Sequence, residues 1–406
     1  MSEIFLLGVG SHGLTAEQRS CLPGCALIVG SERHLECVGQ WPAEKIAITP
    51  LPEVLAVIKR QLAAGGKVAV LAGGDPLFFG IGRRLLDEFG REKLTVLPAL
   101  SSMQEACARF RIPWDDAFVV SLHGRTAHHL PGLLLRREKT FVFTDKKNSP
   151  DVIADQLLDY LGVIEDAGTL AGCRVWVAEN LGMADERITT GNLMETASRR
   201  YREFNVLLLQ RPRVSQSQPR FGLTEAAISH SRGLITKDEV RAVTLHRLAL
   251  PEQGVLWDIG AGSGSVSIEA ARICPGLTVY AVEKNEGELA NIRENIRCYG
   301  CCNVVPVEGE APTALFALPD PDRVFVGGSG GQLALIIREA AARLAAGGRL
   351  VVNGVTPQTV SLAPQLMAEC GLRVSISRIT CERSDLPDTA ESSRIFNPIS
   401  IATGIK

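Results

Sequence analysis

The sequence has almost no charge of one sign to spare. Across 406 residues, 43 Lys and Arg stand against 45 Asp and Glu, a net charge of −2. Nucleic-acid binders usually carry a basic surplus to neutralise phosphates, so that partner class is disfavoured unless a local basic patch supplies it. No run approaches the ~18 consecutive apolar residues of a membrane-spanning helix, so no membrane partner is expected. The opening, MSEIFLLGVG, carries Glu3 where a secretory signal needs positive charge, and its apolar run is short. Eleven cysteines are scattered rather than framed, which fits a reducing cytoplasm better than a disulfide scaffold. Cys298-Tyr-Gly-Cys301-Cys302 offers one Cys-x-x-Cys with no second pair or nearby His to complete a four-ligand site, so no metal is expected. It reads instead as a helix end, with Gly300 as cap, leading into a strand.

What is present is the balance of a globular chain, 46% hydrophobic and 22% charged, long enough for two or three domains. The polar, proline-bracketed stretch around 211–219 has no hydrophobic periodicity and reads as a linker. The expected division is a domain over 1–212, a linker over 213–219 and a domain over 220–406. In the first, runs at 4–9, 26–29, 68–71, 94–97, 118–121, 140–144, 174–178 and 204–209 read as strands, alternating with helical spacing at 53–64 and 153–161. In the second, strands are expected at 255–259, 278–282, 304–307, 323–326 and 350–352. Helices at about 266–273, 286–298, 332–344 and 359–370 separate them. The class is α/β, and the second domain's five strands suggest a Rossmann-like, doubly wound sheet with its ligand beyond the strands' carboxyl ends.

The strongest motif is Asp258-Ile-Gly260-Ala261-Gly262-Ser263-Gly264, between an apolar strand and a helix. Its glycines let backbone approach a ligand, and the helix start offers unpaired N–H groups. Glu283 ends the next strand, placed to accept ribose hydroxyls. The spacing lacks the third glycine of a dinucleotide site, since Ser265 or Ser267 stands there. Asp258 would repel a pyrophosphate but suits the cationic, amine-bearing end of S-adenosylmethionine, directly or through water. Gly327-Gly-Ser329-Gly-Gly331 matches a nucleophile elbow, yet no histidine follows His246 in the chain, so Ser329 has no base.

In the first domain, Gly8-Val-Gly10, Ala72-Gly-Gly74-Asp75-Pro76 and Pro98-Ala-Leu-Ser101-Ser102 are strand-end turns rich in small residues. They could line one cleft, or be plain turn chemistry. His123 and Arg125 follow a strand and could meet substrate carboxylates or form a surface salt bridge. His128-His129 reads as solvated loop.

Several segments carry a family resemblance. Gly233-Leu-Ile-Thr-Lys237, the 258–264 loop, Tyr280-Ala-Val-Glu-Lys284, Val307-Glu-Gly-Glu310-Ala311 and the 325–331 segment resemble the decarboxylating precorrin methyltransferase module over nearly all of 220–406. That resemblance implies that Thr236, Gly260, Ala261, Gly262, Ser263, Gly264, Glu283 and Ala311 contact S-adenosylmethionine. Leu71–Gly82, Leu100-Ser-Ser-Met103, Ser121-Leu-His-Gly-Arg125 and Ala178-Glu-Asn-Leu-Gly182 resemble the two-lobed tetrapyrrole methylase family, in its carbon-5 branch. There the resemblance implies a second S-adenosylmethionine, lined by Gly8, Gly74, Asp75, Ser101 and Ser102. The family's G-x-G-P-G loop is here Gly8-Val-Gly-Ser-His-Gly13, without the proline.

The two fused in this order resemble the bifunctional decarboxylating precorrin methyltransferases of cobalamin synthesis. The resemblance implies methylation of precorrin-6Y at carbons 5 and 15 and loss of the carbon-12 acetate carboxylate, giving precorrin-8, in a homo-oligomeric enzyme. With an electron-rich macrocycle as nucleophile, no single base need dominate; His123, Arg125 and Glu310 are the candidate catalytic residues. Arg83, Arg84, Arg125, Arg241, Arg383 and Arg394 are candidates for the substrate's carboxylates, or ordinary surface arginines. An RNA methyltransferase and a non-catalytic carrier of corrinoid intermediates are the alternatives.

Overall fold

The structure, a computed structural model, describes residues 4–123, 127–213, 220–231, 233, 235–384 and 394–406. The chain forms two compact units. One comprises Met1–Arg125, Lys139–Val152 and Arg174–Gln210; the other Thr126–Glu138, Ile153–Cys173 and Arg211–Lys406. Two segments that precede the expected linker therefore cluster with the residues that follow it, and most of that linker (214–219) lies outside the described residues.

The first unit holds two sheets. β1 (Ile4–Val9), β2 (Cys25–Gly30), β3 (Glu44–Ala47), β4 (Lys67–Gly73) and β5 (Leu94–Leu97) form a wholly parallel sheet in the order β3-β2-β4-β1-β5. Its central strands are buried on both faces. Leu6, Leu27 and Val70 pack toward helix Leu51–Ala63, while Leu7, Ile28 and Leu71 pack on the other side, which is why these strands read as unbroken apolar runs. β6 (Phe118–Ser121), β7 (Lys139–Phe143), β8 (Arg174–Glu179), β9 (Arg187–Gly191) and β10 (Asn205–Gln210) form a mixed sheet in the order β6-β7-β10-β8-β9. Sequence reading missed β3 and β9. Both are edge strands with no fully buried residue, so neither carries a hydrophobic pattern.

In the second unit, β11 (Gln253–Ile259), β12 (Gly276–Glu283), β13 (Val304–Glu308), β14 (Arg323–Val326), β15 (Arg349–Gly354), β16 (Arg373–Ile379) and β19 (Ile399–Ile405) form one sheet. β17 (Glu382–Arg383) and β18 (Arg394–Ile395) pair as a separate ribbon. The order β13-β12-β11-β14-β15-β19-β16 is Rossmann-like, with β19 antiparallel to both neighbours. Seven strands replace the five expected. β16 is a largely exposed edge, and β19 buries Ser400 and Thr403 beside Gly404, which blurs its apolar signal. The strand order reverses between β11 and β14, which opens the ligand crevice of such sheets.

Contacts within this unit correct one expectation. His129 is not solvated: its ring packs edge-on against Tyr160, 4.6 Å between centroids, and its Nε2 lies 3.1 Å from the Cys302 carbonyl. Burial pushes its imidazole down to about 4. Tyr160 donates to the Val304 carbonyl at 2.8 Å, and Gly300 caps helix Glu286–Tyr299 in the left-handed conformation. The sequence could not show this because His129 and Cys302 meet across 173 residues.

A buried ion pair fastens the segment preceding β11 to the sheet's first helix. Arg241 donates to Glu269 at 2.6 Å, to the Thr236 carbonyl at 2.8 Å and to the Leu223 carbonyl. The other Glu269 oxygen accepts from the Gly222 and Leu223 amides at 2.7 and 2.8 Å. Arg241 is thus consumed by the fold and is no substrate contact. Removing Glu269 leaves the buried Arg241 with only the partly exposed Asp238, 3.0 Å away, to answer its charge, so Glu269→Ala is expected to lose about 3 kcal/mol of unfolding free energy. Urea denaturation of the intact chain checks this; a loss below ~1 kcal/mol would show that water reaches the pair.

Candidate active site

In the second unit, the carboxyl ends of β11 to β14 enclose a cavity of about 160 Å³, lined by Gly260, Glu283, Glu310, Ala311, Gly328 and Ser329 among others. Its shape rests on Gly260, which has φ +65°; a Cβ there would stand 2.4 Å from the Gly328 oxygen. The crossing is stitched by Gly260 N–H to Val282 O and Gly327 N–H to Ile259 O, both 2.9 Å. Glu283 stands at the lip. One carboxylate oxygen accepts from Gly262 N–H, the other from Lys284 and Asn285 N–H, each at 2.9 Å. Glu310 is exposed and paired with Lys284 at 2.7 Å, which holds its carboxyl below the usual value.

Asp258 does not line this cavity. It is fully buried, with one oxygen accepting from the Ser267 hydroxyl at 2.6 Å and amide at 3.1 Å. The other oxygen and the buried Ser263 hydroxyl have no partner among the described residues. Burial raises the Asp258 carboxyl to about 7, with Glu283 adding to the rise. Ser263 is held by its carbonyl, which accepts from Asn295, and Gly264 opens helix Ser265–Ile273 at φ +74°. Thus Gly260, Glu283, Ala311 and Glu310 of the expected set line the cavity. Asp258, Ala261, Gly262, Ser263 and Gly264 stand beside or behind it, and Thr236 lies off it.

The first unit holds a cavity of about 800 Å³, with walls from the ends of both its sheets. Gly8 shapes it without lining it. A Cβ on Gly8 would stand 2.1 Å from Gly74 O and 2.5 Å from Ala99 N, and the three strand ends are stitched by Gly74 N–H to Val9 O and Ala99 N–H to Gly74 O. Asp75 is occupied in its own turn, accepting from Leu77 N–H at 2.9 Å. The Ser101 hydroxyl is spent with Gln104 in the capping box of helix Ser102–Phe110. Gly74, Ser102 and His123 do line the cavity; Arg125 lies outside the described residues.

Glu105 and Asn180 also line it and were missed. Glu105 is 8% exposed and accepts from the Ser11 hydroxyl at 2.8 Å. In the sequence it looks like an ordinary first-turn acid. Asn180 falls in the 178–182 segment already singled out, and its φ of +49° turns the chain into the cavity wall. Of the candidate arginines, Arg241 is buried, Arg383 is held by Glu239 and Glu225, Arg84 lies 3.6 Å from Glu88, and Arg394 leans on Phe396. None of these, nor Arg83, lines either cavity.

Comparisons with known proteins match two stretches of the chain. Residues 3–197 match a family model described as Tetrapyrrole (Corrin/Porphyrin) Methylases, and residues 227–400 one described as Precorrin methyltransferase domain. A Sinorhizobium sp protein named precorrin-6Y C(5,15)-methyltransferase (decarboxylating) is 31% identical over 381 residues, covering 92% of this chain and 90% of that one. A Pyrobaculum calidifontis protein named probable cobalt-precorrin-6B C(15)-methyltransferase (decarboxylating) is 37% identical over 45% of this chain and 94% of its own. A solved structure from Geobacter metallireducens GS-15, titled precorrin-6y C5,15-methyltransferase, covers 47% of this chain and 100% of its own at 40% identity, with a TM-score of 0.46.

The buried Asp258 gives a pH test. Its folded value, about 7, lies above the ~3.9 of an unfolded Asp, so folding takes up a proton between them. Its contribution is fully present below ~4 and lost as pH rises through about 7. Relative to Asp258→Asn, which cannot titrate, the parent chain is expected to lose ~2–4 kcal/mol of unfolding free energy between pH 4 and 8. Parallel denaturation curves at both pH values would mean that water or a cation reaches the carboxylate.

Proposed function

Since the chain belongs to the precorrin-6Y C(5,15)-methyltransferase (decarboxylating) family, we propose that each unit binds its own S-adenosylmethionine and performs one of the two methylations. The second unit serves carbon 15 and removes the carbon-12 acetate carboxylate, the first serves carbon 5, and the product of both is precorrin-8. The observation that carries this reading is the pair of separate cavities, each where parallel strand ends cross at a glycine too crowded for a side chain. Eleven free cysteines suit a reducing compartment, so we place the reaction in the cytoplasm, and the family resemblance favours a homo-oligomer.

The second unit's residues fit the methyl donor. Asp258 and Ser263 hold buried polar atoms without partners among the described residues beside the Gly260 loop, and Glu283 stands at the cavity lip. When bound, the donor supplies a methyl group already activated on a sulfonium, so the protein need not generate an electrophile. The chain's own contribution is to hold reactants in line and exclude water. Glu283 and Glu310 are the carboxylates lining this cavity. Glu310 is exposed and held ionised by Lys284, which makes it a weak base. Glu310→Gln is therefore expected to slow carbon-15 methylation only ~10-fold; a loss above ~10⁴-fold with donor binding intact would make it the essential base.

The site count is tested by calorimetric titration of S-adenosylhomocysteine into the intact chain, with two equivalents bound per chain expected. Gly328→Leu and Gly10→Leu each put a side chain into one cavity. Neither position requires positive φ, and a Cβ there comes no nearer than 3.9 and 3.4 Å to other atoms. Each should remove one equivalent and leave the other. One equivalent in the parent chain, lost only with Gly328→Leu, would mean that the first unit's cavity holds something else.

A further inference from the structure

The first unit's cavity carries more polar chemistry than a methyl donor alone would use. Its basic lining residues are Arg33, His34 and His123. His34 is half-buried, and burial together with the neighbouring Arg33 holds its imidazole below the ordinary value, so it is neutral near pH 7. Arg33 carries a permanent charge, because a guanidinium does not deprotonate in proteins. Two of the acids on the same wall are engaged: Glu203 is paired with Lys146 at 3.0 Å, and Glu105 accepts from Ser11. Glu32 sits in the first turn of helix Glu32–Glu36, near its unpaired amides.

Arg33 makes no ion pair among the described residues. Its guanidinium instead lies over the Phe204 ring, 5.5 Å from the centroid. The two approach from opposite sides of the cavity: Arg33 follows β2 of the parallel sheet, and Phe204 precedes β10 of the mixed sheet. Phe204 is 58% exposed, and Leu100, also on the rim, is 60% exposed. Large apolar groups left open beside an unpaired guanidinium suit a ligand with a broad apolar face and carboxylates at its edge. A cation–π contact at an exposed site is weaker than a bidentate guanidinium–carboxylate pair, so a bound carboxylate can draw Arg33 off the ring.

We propose that Arg33 and Phe204 form the macrocycle receptor of the first unit, with Phe204 meeting the tetrapyrrole's apolar face and Arg33 gripping a peripheral carboxylate. This rests on the reading that this unit methylates the macrocycle. Arg33 is a positioning residue: it fixes which carbon faces the methyl donor and takes no part in the transfer. The arrangement is distinct from the glycine crossing around Gly8, which shapes the donor's end of the same cavity.

The test is steady-state kinetics of the full chain with precorrin-6Y, following the two methylations separately by mass, because one also loses carbon dioxide. Arg33→Met is expected to raise KM for carbon-5 methylation ~10–100-fold with kcat within about threefold. Arg33→Lys, which keeps the charge but loses the planar fork, should recover part of that loss. The carbon-15 reaction should keep its own KM, and S-adenosylhomocysteine should still bind at two equivalents. A carbon-5 KM within threefold of the parent, or an equal loss of both methylations, would overturn the assignment of Arg33. A parent chain that binds a single equivalent would instead overturn the two-site reading, so the two failures are distinguishable.

Discussion

At Gly8 and at Gly260 the main chain crosses a neighbouring strand end with no room for a methyl group between the two backbones. The hypothetical Cβ would stand 2.1 Å from Gly74 O in one case and 2.4 Å from Gly328 O in the other. Each crossing is held by paired amide–carbonyl bonds, so the loops cannot separate without leaving main-chain groups unsatisfied. Helices Ser102–Phe110 and Ser265–Ile273 begin beside these crossings and present first-turn amides. Both cavities therefore start as a backbone problem, solved by glycine, and acquire side chains only afterwards.

The side chains are then arranged differently in the two units. Around the second unit's small cavity, charge is buried or tied: Asp258 within the interior, Arg241 with Glu269, Glu283 by three amides. Buried groups of this kind cost solvation and are tolerable only where geometry is fixed, which makes the site stiff. The first unit's cavity is about five times larger on the same measure, 800 against 160 Å³, and its rim is apolar and open. A stiff, narrow site and a wide, partly apolar one place different demands on the ligand, even though both begin at a glycine crossing.

This difference explains what the sequence made legible. The 258–264 loop, Glu283 and the central strands could be read because local spacing determines them: an apolar run, then a glycine turn, then a helix. Strands β1, β5, β6 and β14 match their expected spans for the same reason. Strands β3, β9 and β16 could not be read, since none of them buries a residue fully and their few apolar positions are interleaved with charged and polar ones. The first unit's cavity was legible only as turns. Its polar contents come from many separate turns and elements, and the Ser11–Glu105 bond spans 94 residues. Ser101 and Asp75 show the converse: motif residues whose side chains are consumed locally, one capping a helix and one closing a turn.

The near-zero net charge is accompanied by close local pairing. Arg187 with Glu179, Arg109 with Glu186, Arg343 with Asp320 and Arg383 with Glu239 all sit within 2.6–3.1 Å of a carboxylate. Where both partners are partly exposed, as in all of these but Arg187 with the fully buried Glu179, such a pair contributes ~0–1 kcal/mol to stability, so their number says little about how firmly the fold is held. Their electrostatic consequence is larger. A paired guanidinium presents a dipole, whose field falls off faster than that of a bare charge, and salt screens the remainder within ~8–10 Å. An anionic macrocycle approaching such a surface is drawn by the cations that no carboxylate among the described residues answers, such as Arg33 on the wall of the first unit's cavity. The net charge is thus a poor guide to the substrate's sign, because attraction depends on which cations are left unpaired and where the fold has put them.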